Sequence, residues 1–164
     1  MKFILIDRIS VLERGQRIVA HKALSLAEEY LADHFPAFPV IPGVLMLEAM
    51  VQASAWLVRD ALGFAPALVL LKEARNVTYK SFVAPGEVLT IESVCKELAD
   101  GQSEFAALGR VGDREIVKAR LVLRHLNLAD SDPALAEIDT KLREHARTLF
   151  GLMRVESLAG AVTV

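Results

Sequence analysis

Fifteen consecutive residues, Val44 to Val58, contain a single charge, Glu48, and two further polar side chains, Gln52 and Ser54. Pro42-Gly43 precedes the run and Gly63 follows it, which predicts one long helix from about Val44 to Leu62 with Gly63 as its C-terminal cap. A helix apolar on every side has no face to offer water, so it belongs inside the molecule. The rest of the chain must wrap it with a curved sheet, cover it with a second copy, or both.

The remaining segments supply the sheet. Residues 3–12 are largely apolar and β-branched, broken by Asp7 and Arg8, and read as a strand. Glu13-Arg14-Gly15-Gln16 makes a turn into a second strand, Arg17 to Lys22. Ser25 followed by Glu28 matches a capping box for a short helix over 26–31. Leu68 to Val77, ending near Lys80, is a further strand, as are Val88 to Leu98, Glu104 to Val111 and Glu115 to Leu126. Asp100-Gly101 and Gly112-Asp113 mark tight turns between them. One central helix with antiparallel strands on both sides of it in sequence is an α+β pattern. Asp130-Ser131-Asp132-Pro133 then breaks the chain before a C-terminal helix. Leu135, Ile138, Leu142, Leu149 and Leu152 fall on one stripe of that helix, completed by His145. The stripe reads as docking on the domain's own surface, with packing on a neighbouring subunit as the alternative.

Composition narrows the function classes. Hydrophobic residues make up 53% and charged residues 24% of 164, which describes an ordered chain able to bury a real core. The 19 basic and 21 acidic residues are spread along the chain, so no basic stripe points to nucleic acid or a lipid surface. The N-terminal apolar run is cut short by Asp7 and Arg8 and fails as a signal peptide, and no stretch has the length of a membrane span. The expected location is cytoplasmic. Cys95, the single cysteine, rules out an internal disulfide and reads as a buried, inert thiol in a strand.

The chemistry concentrates in Asp33 to Glu48. A carboxylate in an otherwise apolar helix loses hydration and is kept when it is satisfied locally or has a task. Gln52, one turn after Glu48, lies on the same face and can hydrogen-bond it. His34 stands where a polar stretch meets a loop holding Pro36, Pro39 and Pro42, and those rings stiffen the loop. His21, His125 and His145 have no comparable context and read as structural or solvated. Pro42-Gly43 opens the long helix, where free N–H groups and the positive end of the dipole collect, and Gly43 has no side chain to block a ligand from that backbone. One short segment thus offers an imidazole, a set of oxyanion donors and a carboxyl group.

These residues resemble the FabZ-type 3-hydroxyacyl-[acyl-carrier-protein] dehydratases. His34-Phe35-Pro36, Pro39-Val40, Pro42-Gly43-Val44-Leu45, Glu48-Ala49-Met50 and Gln52 match that family's central motif in register. Phe3-Ile4-Leu5-Ile6-Asp7-Arg8 and Val83-Ala84-Pro85-Gly86-Glu87 match two others, so the resemblance covers about residues 1–127. Ala37 and Asp33 depart from it, each standing where the family has Gly. The resemblance implies a hotdog fold over 1–127, a curved antiparallel sheet around the long helix, with 128–164 a C-terminal helical extension. It implies dehydration of (3R)-3-hydroxyacyl thioesters to trans-2-enoyl thioesters, with acyl carrier protein as partner and neither cofactor nor metal. His34 would be the base at C2 and Glu48 the acid at the C3 hydroxyl, or alternatively a charged group positioning a water. Gly43 and Val44 would hold the thioester oxygen and Gln52 would orient Glu48, while Met50, Trp56 and Leu57 are candidate tunnel residues that core packing explains as well. It also implies a homodimer that shares its sites across the subunit boundary, with a trimer of dimers as the larger assembly. Two other readings keep the fold: an acyl-CoA thioesterase, which Glu48 alone would suit but which does not call for the His34 loop, and a non-catalytic acyl-carrier or acyl-chain binding subunit.

Overall fold

The computed structural model describes residues 4–34 and 37–153. Its sheet has six antiparallel strands: β1 (Arg8–Glu13), β2 (Arg17–Ala23), β3 (Leu68–Tyr79), β4 (Val88–Ala99), β5 (Gln102–Val111) and β6 (Arg114–Leu126). Their spatial order is β1-β2-β4-β5-β6-β3, so β1 and β3 are the two edges. Register shifts in β1, β3, β4 and β6 mark bulges, each of which adds bend and twist to its strand. The curved sheet holds the long helix α2 (Gly43–Ala61) against its inner face.

Alternation along the strands decides what meets that helix. Ile18 and Ala20 of β2, Leu89 and Ile91 of β4, Phe105 and Ala107 of β5, and Ala119 and Leu121 of β6 are all buried. Gly109 also belongs to this layer: a Cβ there would fall 2.7 Å from Val117 Cγ1. A polar contact between helix and sheet in the buried layer is satisfied: Ser54 Oγ donates to Met50 O at 2.8 Å and shares a hydrogen bond with Ser93 Oγ at 2.7 Å.

The N-terminal segment differs from expectation in two places. Met1 to Phe3 lie outside the described residues, and the strand expected over 3–12 begins only at Arg8. The cause is Asp7, whose carboxylate accepts from Ala23 N–H at 2.7 Å and thereby ends the regular ladder. The helix expected over 26–31 is instead the single turn α1 (Tyr30–Asp33), and no capping box forms. Ser25 Oγ accepts from Ala27 N–H, closing a turn, while the Glu28 carboxylate meets Lys22 Nζ at 2.7 Å. Lys22 points into the molecule with 7% of its side chain exposed, so a buried ammonium outcompetes the cap for that carboxylate.

Two 3-10 turns, Leu128–Asp130 and Pro133–Leu135, lead into α3 (Ala136–Met153). This helix docks on its own chain. Phe150 packs on Trp56 of α2, centroids 5.8 Å apart, and edge-on to Phe64 at 5.3 Å. Phe64 follows Gly63 past the end of α2, and both adopt left-handed φ of 60°. For Gly63 this is the expected cap; for Phe64 it costs roughly 1–2 kcal/mol, offset by its ring contact with α3. Buried Asp139 accepts from Leu128 and Ala129 N–H, each at 2.9 Å. The expected stripe is rotated, however. Asp139, Ala146, Phe150 and Met153 are buried, whereas Leu152 is 78% exposed and Ile138 is also exposed, because the aromatic contacts set the helix's rotation. Cys95 is half-buried rather than buried; desolvation raises its thiol pKa, and its Sγ donates to Glu97 O.

Candidate active site

Gln52 is the hub of the site. Its Nε2 donates to Glu48 Oε1 at 3.0 Å, and its Oε1 accepts from Leu5 N–H at 2.9 Å. The spacing of four along α2 stacks the two side chains, and the N-terminal segment fixes the amide. That segment is anchored in turn. Asp7 N–H donates to His21 O at 2.8 Å, and the Asp7 carboxylate takes Ala23 N–H and lies 3.4 Å from Lys22 Nζ.

Glu48 and Gln52 lie in the wall of a 290 Å³ cavity. Val51, Ala55, Trp56 and Arg59 extend the same wall along α2, and Leu68 and Val69 of β3 add a second. Leu142, His145, Ala146 and Leu149 of α3 form the third. Of the candidate tunnel residues, Trp56 lies in the wall of this cavity. Met50 and Leu57 do not; they are fully buried in the core. His145 is solvated as expected, but it also edges this cavity.

His34 is the C-cap of α1, its N–H donating to Tyr30 O at 3.1 Å, with its side chain half-buried. The buried Leu31 anchors that turn. Phe35 and Pro36 lie outside the described residues. Beyond them the loop is pinned where Ile41 N–H donates to Val83 O at 3.0 Å, with Val40, Ile41 and Val83 all buried. Phe38 stands edge-on to Phe82, centroids 5.5 Å apart, on the surface. His34 is not among the side chains lining the Glu48 cavity of its own chain.

Pro42 is the N-cap of α2, with no side-chain cap, so the N–H groups of Gly43 and Val44 lie in the first turn where no helical acceptor exists. Val44 is 70% exposed. Gly43 departs from expectation. A Cβ there would sit 3.1 Å from Tyr79 Cε1, so the space left by the missing side chain is occupied by an aromatic ring of β3. Tyr79 was not singled out from sequence, because only the fold brings the end of β3 against the start of α2. The same holds for Arg59 and Ala146, whereas Leu142, His145 and Leu149 belong to the docking stripe read from sequence and gain a place in this cavity only through the fold.

Comparison with known proteins agrees with this architecture. A family model described as the FabA-like domain matches residues 1–120. A protein of Acidovorax sp. (strain JS42), named 3-hydroxyacyl-[acyl-carrier-protein] dehydratase FabZ, is 38% identical over 123 residues, covering 73% of this chain and 85% of its own. A FabZ of Symbiobacterium thermophilum is 35% identical over 132 residues, covering 80% and 93%. Among solved structures, the dehydratase heterocomplex ApeI:P from Xenorhabdus doucetiae superposes with a TM-score of 0.65 at 20% identity, covering 81% of this chain and 90% of that one. A hypothetical thioesterase from Streptococcus pneumoniae with coenzyme A superposes at 0.54 with 14% identity, covering 73% and 85%. At such identities these two likenesses speak for the shared hotdog fold only.

Proposed function

This chain belongs to the FabA-like family, and on that premise we propose that it removes water from 3-hydroxyacyl thioesters held on acyl carrier protein, in fatty acid or related acyl-chain biosynthesis. The observation that supports this most directly is the carboxyl group of Glu48. It is held at 3.0 Å by an anchored amide in the wall of a largely apolar cavity, where solvated carboxylates do not ordinarily belong. Dehydration needs a base for the C2 proton and an acid for the departing C3 hydroxyl. Neutral His34 takes the first role and Glu48 the second, and Gln52 fixes Glu48 in position. The N–H groups of Gly43 and Val44, at the positive end of α2, hold the thioester oxygen as enolate charge grows on it. Residues 1–127 are the catalytic domain, and 128–164 are an extension of it.

The base and acid come from different subunits in this reading. His34 stays out of its own chain's Glu48 cavity, and β3 presents its outer edge unpaired, with Leu70, Leu71 and Tyr79 exposed. An exposed edge of that length is a template for pairing with a second copy. Such pairing through β3 forms the dimer, with a trimer of dimers as the larger assembly.

The test is a dehydration assay with 3-hydroxyacyl and saturated acyl thioesters, comparing the native chain with His34→Ala, Glu48→Gln and Gln52→Leu. Enoyl absorbance from the first substrate, abolished in His34→Ala and Glu48→Gln and reduced about 10²-fold in Gln52→Leu, is the expected result. Thiol release from the saturated thioester without enoyl formation would replace the reading with hydrolysis.

A further inference from the structure

We propose that the end of the α2–α3 cavity remote from Glu48 is an anion subsite, in which Arg59 receives a carboxylate carried at the far end of the substrate's acyl chain. This rests on the dehydratase reading, which puts the thioester end of that chain at Glu48.

Other arginines of the described residues are paired or solvated. Arg17, Arg75 and Arg114 meet carboxylates, and Arg110, Arg120 and Arg124 are exposed to water. Arg59 is half-buried in the cavity wall, and its Nε is sealed from solvent with no hydrogen-bond partner among the described residues. No described carboxylate pairs with it, so burial alone acts on its pKa and pushes it down. Its guanidinium lies over the Trp56 ring, 5.2 Å from the centroid. An indole face attracts the charge but presents no lone pair to the guanidinium N–H groups. Withdrawing a guanidinium from water without an acceptor is costly, and such groups collect where a ligand completes them.

The surroundings of Arg59 make a carboxylate on an alkyl chain the fitting ligand. Glu48, Gln52, Ala55 and Arg59 follow one another at helical spacing, so the reacting carboxyl and the guanidinium share one face of α2, three turns or about 16 Å apart. Glu48 is the one acid in the wall, so no wall group at the Arg59 end repels an anion. Val51, Ala55 and Leu149 between those ends suit methylenes, and His145 of α3 adds a second nitrogen to the wall. A carboxylate at Arg59 accepts two parallel charge-assisted hydrogen bonds from the planar fork. A methyl group in its place would displace the remaining water of Arg59 and return no acceptor.

The test compares saturated acyl-pantetheine thioesters of equal chain length that end in a carboxylate or in a methyl group, over a series of lengths. They are titrated calorimetrically against the native chain, Arg59→Met and Arg59→Lys, with free fatty acids as a third ligand set and a parallel dehydration assay on the matching 3-hydroxyacyl pairs. At its best length the native chain should bind the carboxylate-terminated thioester about 10- to 100-fold more tightly than its methyl partner. Arg59→Met should abolish that preference, and Arg59→Lys, which keeps the charge but not the fork, should restore part of it. The native preference decides the matter even if Arg59→Met fails to fold. Equal or tighter binding of the methyl-terminated member at every length, with dehydration intact, overturns the subsite and leaves the dehydratase reading standing. Arg59-dependent binding of the free fatty acid alone assigns the carboxylate to a separate ligand and likewise overturns the proposal. A carboxylate preference lost in Arg59→Met, without enoyl product from any substrate, supports the anion subsite and overturns dehydration.

Discussion

Glu48 owes its position to a relay of ordinary contacts that starts at the far side of β2. Lys22 lies between Asp7 and Glu28, Asp7 fixes the irregular segment before β1, Leu5 N–H in that segment holds Gln52, and Gln52 holds Glu48. Each link satisfies a polar group that would otherwise be stranded, so the relay is also a folding requirement. His125 is a second polar group with consequences. It is buried on β6 and shares a 2.8 Å hydrogen bond with Ser103 Oγ, while its Nδ1 is buried without a partner. Desolvation holds its pKa below the ordinary value, with Asp100 opposing in part. The unfolded chain therefore binds this proton more readily than the folded one, and folding stability falls as pH drops below about 6.5. Urea melts between pH 7.5 and 5 should show that fall, and His125→Gln should flatten it; an equal slope in the variant would clear His125 of the effect.

Among the elements, α3 depends on a few aromatic contacts. Phe150 contacts both Trp56 and Phe64, and Arg147 lies over the Phe64 ring, 5.5 Å from its centroid. Arg143 Nη1 donates to Asn127 Oδ1 at 3.2 Å, and that oxygen also accepts from Ala67 N–H at 2.9 Å, which ties the helix to the start of β3. Phe150→Ala removes the central ring, and a buried Phe→Ala typically costs about 3–5 kcal/mol. The expected outcome is a loss of that size in chemical denaturation, together with a more accessible Trp56 in acrylamide quenching. Unchanged quenching would mean that α3 stays docked without its aromatic anchor.

For the whole molecule, the open edge of β3 and the exposed Phe38, Val44, Tyr79 and Phe82 near the start of α2 make one chain look incomplete. If the acid and base meet across a subunit boundary, inactive variants should complement one another. Mixing His34→Ala with Glu48→Gln and allowing subunits to exchange makes half of the dimers mixed, each with one intact site, so roughly a quarter of native activity should return. No recovery, with exchange demonstrated by labelled subunits, would place both groups in a single chain's site.

Much of this architecture was legible because it is written in local periodicity. The helix over 44–62, the four strands after it and their turns depend on the spacing of apolar residues and on Gly at positive φ, and these were found within a residue or two. The single charge in α2 and its partner four residues on were legible for the same reason. What periodicity could not reach were the choices made between distant groups. Asp7 shortens β1 because it meets Ala23; Glu28 abandons a cap because Lys22 is buried; Tyr79 fills the space above Gly43; Phe64 and Phe150 rotate α3 so that Leu152 faces water. The sequence by itself determined the long helix and the strands after it and offered His34 and Glu48 as candidates for the chemistry, since both readings follow from near neighbours. Which groups touch, and that Glu48 shares a cavity with Arg59 and α3, only the tertiary structure decided, because desolvation and packing act between residues far apart in the chain.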